Sequence, residues 1–132
     1  MVFIVLIVDD DAAVRFFNTL IVKESKIPGE PHTCKSGEDA LHYLDYHTNE
    51  NNIYLIFLDI NMPLMSGWDF VEAVDKKSYC NQIRIVMVTS SIDKKDQIKA
   101  KSYTLIIDFI EKPISLEDCQ KILNNPAISK HL

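Results

Sequence analysis

The chain has 132 residues, of which 47% are hydrophobic and 25% charged, with a formal net charge of −5. That is the size of one domain with enough apolar side chains for a core, which excludes a disordered chain. The longest apolar run, Met1–Val8, is far shorter than the ~20 residues of a membrane span. No Lys or Arg precedes it, as a signal peptide would require. A cytoplasmic protein with no membrane role is therefore expected.

In chain order, the first strand is expected over Phe3–Val8. A helix follows, with Val14, Phe17, Leu20 and Ile21 on one face, and Asp11 fits its N-cap. A weaker strand is expected at His32–Lys35, ahead of the Ser36-Gly37 turn signal. Ala40, Leu41 and Leu44 then mark a second helix. Leu55–Leu58, Ile83–Val88 and Leu105–Ile110 read as three further strands. All three are short, continuous and apolar, which suits strands covered on both faces.

Phe70, Val71 and Val74 mark the third helix. The fourth, near Asp93–Lys101, carries four lysines between Lys94 and Lys101 but only a thin apolar stripe of Ile92, Ile98 and Ala100. Ser115 and Asp118 form the capping signature of the last helix, and Pro126 follows its end. The alternation βαβαβαβαβα leaves no spare segment. It builds one α/β domain over 1–132, with its core at about 3–124 and helices on both faces of a parallel sheet.

Ligands of such sheets bind beyond the carboxyl ends of the strands. The first strand ends there in Asp9 and Asp10 and the third in Asp59. The fourth ends in Thr89, and the fifth delivers Lys112 and then Pro113. Three carboxylates converging on one edge need a counter-charge. Lys112 supplies one, and a hard divalent cation such as Mg²⁺ supplies another, completing its shell with water and phosphate oxygens. A carboxylate can serve as a nucleophile toward phosphorus, with positioning and charge doing most of the catalysis.

Other chemistries fit less well. Residues 1–66 hold 4 basic and 10 acidic residues and 67–132 hold 10 and 9, with no basic stripe, so direct nucleic-acid binding is not expected. The three cysteines are far apart and read as free thiols. No glycine-rich phosphate loop is present. Asp9-Asp10-Asp11 superficially offers the D-x-D of haloacid dehalogenase-type phosphatases. Position 13 is Ala, however, and that reading leaves Asp59 without a role.

The motifs I-V-L-I-V-D-D-D at the start, L-D-I-N-M-P-L-M-S-G at 58–67, I-V-M-V-T-S at 85–90 and F-I-E-K-P-I-S at 109–115 occur in order. With S-G-E-D-A-L at 36–41, they make the chain resemble the receiver domain of two-component response regulators, of the chemotaxis-regulator type. The resemblance runs from Ile4 to about Leu123. It implies a flavodoxin-like (βα)5 fold with strand order 2-1-3-4-5.

It also implies that Asp59 is the phosphoryl acceptor, with Lys112 and Thr89 binding the phosphoryl group. Asp9, Asp10, Asp59 and the backbone carbonyl of Asn61 are the implied ligands of Mg²⁺ or Mn²⁺. Thr89 and Phe109 would form the switch, while a cis peptide at Pro113, together with Pro63 and Gly67, would shape the site. The implied partners are a sensor histidine kinase or phosphotransfer protein and a downstream protein, with a homodimer through helix four, strand five and helix five as one possible output. No enzymatic turnover is implied beyond the domain's own aspartyl phosphorylation and dephosphorylation. Two departures stand out: Ser90 replaces the usual Ala or Gly, and Lys101–Thr104 lacks the usual Gly. The four histidines match no position of the family, so no phosphotransfer histidine is expected.

Overall fold

The computed structural model describes residues 2–47, 51–90 and 92–132, so Met1, the start of the first apolar run, lies outside the described residues. The order is β1 (Val2–Val8), α1 (Ala12–Glu24), β2 (His32–Cys34), α2 (Gly37–His47), β3 (Asn52–Asp59) and α3 (Gly67–Asp75). A single 3-10 turn at Cys80–Gln82 leads into β4 (Ile83–Thr89), α4 (Lys94–Ala100), β5 (Ile106–Glu111), α5 (Leu116–Asn124) and α6 (Pro126–Ser129). The strands form one parallel sheet in the order β2-β1-β3-β4-β5.

The continuous apolar runs are divided between two cores because successive side chains of a strand point to opposite faces. Leu6, Val8, Tyr54, Ile56, Leu58, Ile83, Ile85 and Met87 pack with Ala40 and Leu44 of α2 and Phe70, Val71 and Val74 of α3. Val5, Ile7, Leu55, Phe57, Val86 and Val88 pack on the other face with Val22 of α1, Cys119 and Ile122 of α5 and Ile128 of α6. Each fully buried Val, Leu, Ile, Phe or Met side chain among them contributes about 1.5–3 kcal/mol of transfer free energy. β1, β3 and β4 are covered on both faces, whereas the edge strands β2 and β5 are only partly covered.

Local capping fixes the helix starts. Asp11 accepts from the backbone N–H groups of Ala13 and Val14, and Ser115 pairs with Asp118 in a reciprocal capping box. Ser66 and Asp69 form the same box at α3.

Two features depart from the sequence expectation, in α1 and after α5, and the glycine-free turn before β5 has a local explanation. Phe17 and Leu20 are 43% and 49% exposed, and α1 instead buries Asn18 and Val22. Pro126 does not merely follow the last helix but opens α6, where its missing N–H costs nothing. That extra turn is held by Ile128 in the core, by Asn125 donating to the Ile107 carbonyl, and by Arg84 donating to the Ala127 carbonyl. The turn between α4 and β5 closes without glycine, with Lys101 in ordinary helical geometry and the Ser102 hydroxyl donating to the Lys99 carbonyl.

Candidate functional site

The carboxyl ends of β1, β3, β4 and β5 meet at one rim of the sheet. Asp9 follows β1, Asp59 ends β3 opposite Val88, and Thr89 ends β4 opposite Glu111, next to Lys112. Asp9, Asp59 and Thr89 are 2%, 4% and 2% exposed, although strand ends usually open to water. Asp10 is exposed. One carboxylate oxygen from each of Asp9, Asp10 and Asp59 can be chosen so that all three lie within 4.8 Å of one another.

Lys112 bridges the two buried acids. Its Nζ lies 2.8 Å from Asp9 Oδ2 and 3.3 Å from Asp59 Oδ1. Burial raises the Asp59 carboxyl above the usual carboxylate range and the charge of Asp9 adds to this, while Lys112 and the Asn61 N–H oppose it. Burial alone would lower the Lys112 ammonium. The hydrogen bond to Asp9 and the charges of Asp59 and Asp9 outweigh it and leave the lysine above its ordinary value. The two upward shifts have different causes: burial first for Asp59, and for Lys112 the two facing acids acting against burial.

Backbone bonds hold the groups in register. The Asp11 N–H donates to Asp9 Oδ1 at 2.9 Å, and Arg15 Nη1 donates to the Asp9 carbonyl at 2.8 Å. The Asn61 N–H donates to Asp59 Oδ1 at 3.4 Å, and the Lys112 N–H donates to the Thr89 carbonyl. The Lys112–Pro113 peptide bond is cis.

After Asp59, Pro63 opens a tight turn in which the Met65 N–H reaches the Pro63 carbonyl at 2.8 Å, forcing Leu64 to φ 67°. The chain then returns to Asp59. The Gly67 N–H donates to the Ile60 carbonyl, and a Cβ at Gly67 would stand 2.6 Å from the Asp59 carbonyl oxygen. Only glycine permits that approach.

Phe109 is half-buried on β5 beside a groove of about 330 Å³ lined also by Gln97, Ala100, Lys101 and Ile106–Asp108. Ser90 is exposed. Sequence reasoning missed Arg15, whose guanidinium secures the β1–α1 loop; a lone arginine among acids was the available signal. The indole Nε1 of Trp68 donates to Asp96 Oδ1 at 3.0 Å, a tie that no sequence motif signals.

Three hard oxygen donors, one of them open to solvent, fit a hard divalent cation with retained waters. Lys112 offsets one of the three negative charges, so the set retains an attraction for a cation.

A sequence model of the response regulator receiver domain matches residues 5–124. The protein-glutamate methylesterase/protein-glutamine glutaminase of Methanococcoides burtonii is 34% identical over 121 residues, covering 90% of this chain. The chain spans about a third of that relative's length (32%). Two-component response regulator ORR3 of Oryza sativa subsp. indica is 28% identical over 91% of this chain and 87% of its own. Among solved structures, a two-component response regulator from Cytophaga hutchinsonii superposes with a TM-score of 0.82 at 26% identity, covering 92% of this chain and 94% of its own. Vibrio cholerae chemotaxis protein CheY4 superposes with a TM-score of 0.76 at 27% identity, covering 94% and 97%. With the fold, the order of strands and the family match in agreement, the chain belongs to the response regulator receiver domain family.

Proposed function

We propose that Asp59 accepts a phosphoryl group from the phosphohistidine of a kinase or phosphotransfer protein, or from a small phosphodonor. The observation that carries this reading is the Asp59 carboxylate, buried beside the Lys112 ammonium and clustered with Asp9 and Asp10. A carboxylate oxygen of Asp59 bonds to phosphorus as the P–N bond of the donor, or the P–O bond of acetyl phosphate, breaks. The electron pair leaves with the imidazole or acetate. Lys112 balances charge on the transferred oxygens, and the Thr89 hydroxyl donates to one of them. Asp9, Asp10, Asp59 and the Asn61 carbonyl would hold Mg²⁺ or Mn²⁺, which when bound neutralises charge on the phosphoryl oxygens.

An exposed apolar strip supports approach of a donor from the α1 side. Phe16, Phe17 and Leu20 are 68%, 43% and 49% exposed. Ala13, Val14, Phe17 and Asn18 line a cavity of about 220 Å³ shared with Lys112 and Pro113. Output is assigned to the α4–β5–α5 face: Thr89 moving toward the phosphoryl group makes room for Phe109 to turn inward, changing the groove beside α4. A downstream protein or a second copy of the chain would read that change. Lys94 and Lys95 of α4 and Lys101 just after it are exposed and suit an acidic partner surface.

The metal arm of the reading is tested by titration. Asp10→Asn is expected to weaken Mg²⁺ binding about tenfold or more, about 1.4 kcal/mol, because it deletes an anionic ligand and not a core contact. An unchanged Mg²⁺ affinity in a folded Asp10→Asn protein would refute the ligand assignment.

A further inference from the structure

Trp68 is joined to Asp59 on one side and to α4 on the other. On the Asp59 side, Gly67 leaves no space. A Cβ there would meet the Asp59 oxygen at 2.6 Å and Ile60 Cα at 2.8 Å, and the Gly67 N–H is bonded to the Ile60 carbonyl. The backbone entering Trp68 therefore follows any movement of the Asp59 peptide. On the α4 side, the indole Nε1 donates to Asp96 Oδ1 at 3.0 Å, and the Lys99 ammonium lies 4.8 Å from the ring centroid. Tyr103, in the turn after α4, stands 6.3 Å from the same ring, and its hydroxyl reaches Glu72 of α3 at 3.5 Å.

Among the described residues, little else holds α4. Ile98 is 60% exposed and Ile92, just before the helix, is 39% exposed, while Ala100 is the residue that α4 buries. A seven-residue helix gains little stability from its own hydrogen bonds. Its position then depends on the side chains that tie it to the rest of the fold. Asp96 and Lys99 are such ties, and both end on Trp68.

We propose that Trp68 is a positioning residue that latches α4 in its resting place and couples that place to the Asp59 loop. With the latch closed, α4 forms one wall of the groove beside Phe109. Opening it lets α4 shift and makes the switched arrangement more accessible. The coupling to phosphorylation rests on the phosphoacceptor reading of Asp59, whereas the hold on α4 does not.

Two variants remove the hydrogen bond from opposite ends. Trp68→Phe keeps an aromatic ring but loses the donor, and Asp96→Ala loses the acceptor. In the unphosphorylated protein each should speed amide exchange in α4 roughly tenfold, leaving β1 and β3 unchanged. The double variant should exchange no faster than either single one, because the same bond is lost. Asp96→Asn keeps an acceptor oxygen and should restore most of the protection.

The sequence contains one tryptophan, so fluorescence reports this contact directly. Beryllofluoride with Mg²⁺ should change Trp68 emission in the wild type, and Asp96→Ala without ligand should already show part of that change. Fluorine NMR shows independently whether beryllofluoride binds. Failure of wild-type binding overturns the phosphoacceptor reading, while the exchange measurement still decides the latch. Wild-type α4 protection in both single variants, or unchanged emission in Asp96→Ala, overturns the latch.

Discussion

Lys112→Ala is expected to slow phosphorylation by acetyl phosphate roughly 10²- to 10³-fold, the usual cost of removing one preorganised charge-stabilising donor. The ammonium lies 2.8 Å from Asp9 and 3.3 Å from Asp59, and its removal leaves two buried carboxylates facing each other. The defect should persist at saturating Mg²⁺, because the lysine would contact phosphoryl oxygens that the metal does not. Stability should respond in the opposite way to metal.

Asp59 already titrates above the usual carboxylate range through burial and the charge of Asp9. A carboxyl raised in the folded state favours the fold at low pH and loses that contribution as pH rises through the folded value. Without Lys112 the shift grows, so the stability deficit of the variant should widen from the carboxylate range toward neutral pH and shrink on adding Mg²⁺. Denaturant titrations at two pH values, with and without Mg²⁺, check the sign. A deficit that is largest at low pH would contradict this account of the charges.

Gly67→Ala is the second large effect. The added methyl would sit 2.6 Å from the Asp59 carbonyl oxygen and 2.8 Å from Ile60 Cα, both backbone atoms that cannot turn aside. The start of α3 must move, at a cost of about 1–3 kcal/mol, and the Asp59 loop must move with it. A lower urea midpoint and weaker Mg²⁺ binding are both expected. Gly37→Ala is the control. Its methyl would meet Met65 Sδ at 2.7 Å and Cγ at 3.0 Å, atoms of a flexible side chain and not of backbone, and a stability change within about 1 kcal/mol is expected. Equal losses for the two variants would show that the close approach to Asp59 has no special weight.

The sheet was legible because its strands are buried on both faces. Leu55–Leu58 and Ile83–Val88 are unbroken apolar runs, and runs of that length between helical segments admit few other folds. Strand ends were less legible. β3 starts at Asn52 because its ladder with β1 extends to Val2↔Asn52, a pairing that local apolarity does not reveal.

The α1 face was less legible for a related reason. Apolar spacing identifies a helix with Val14, Phe17, Leu20 and Ile21 on one face but not which arc the sheet covers: Phe17 and Leu20 are exposed, while Asn18 and Val22 are buried. Of the two exposed side chains, Phe17 lines the cavity beside Lys112. At the acidic site, Asp9, Asp10, Asp59, Thr89 and Lys112 could be collected because strand order in a parallel sheet brings carboxyl ends together. The ties of Trp68 to Asp96 and Lys99 could not. They span elements 28 or more residues apart and leave no periodic trace.

The most direct measurement is to locate the phosphoryl group. Incubation with acetyl phosphate and Mg²⁺, followed by borohydride reduction, converts an aspartyl phosphate to homoserine, which peptide mass mapping assigns to a position. Conversion is expected at Asp59 alone, dependent on Mg²⁺, with no conversion in Asp59→Asn. Conversion at Asp9 or Asp10, or labelling of Asp59→Asn to the wild-type extent, would contradict it.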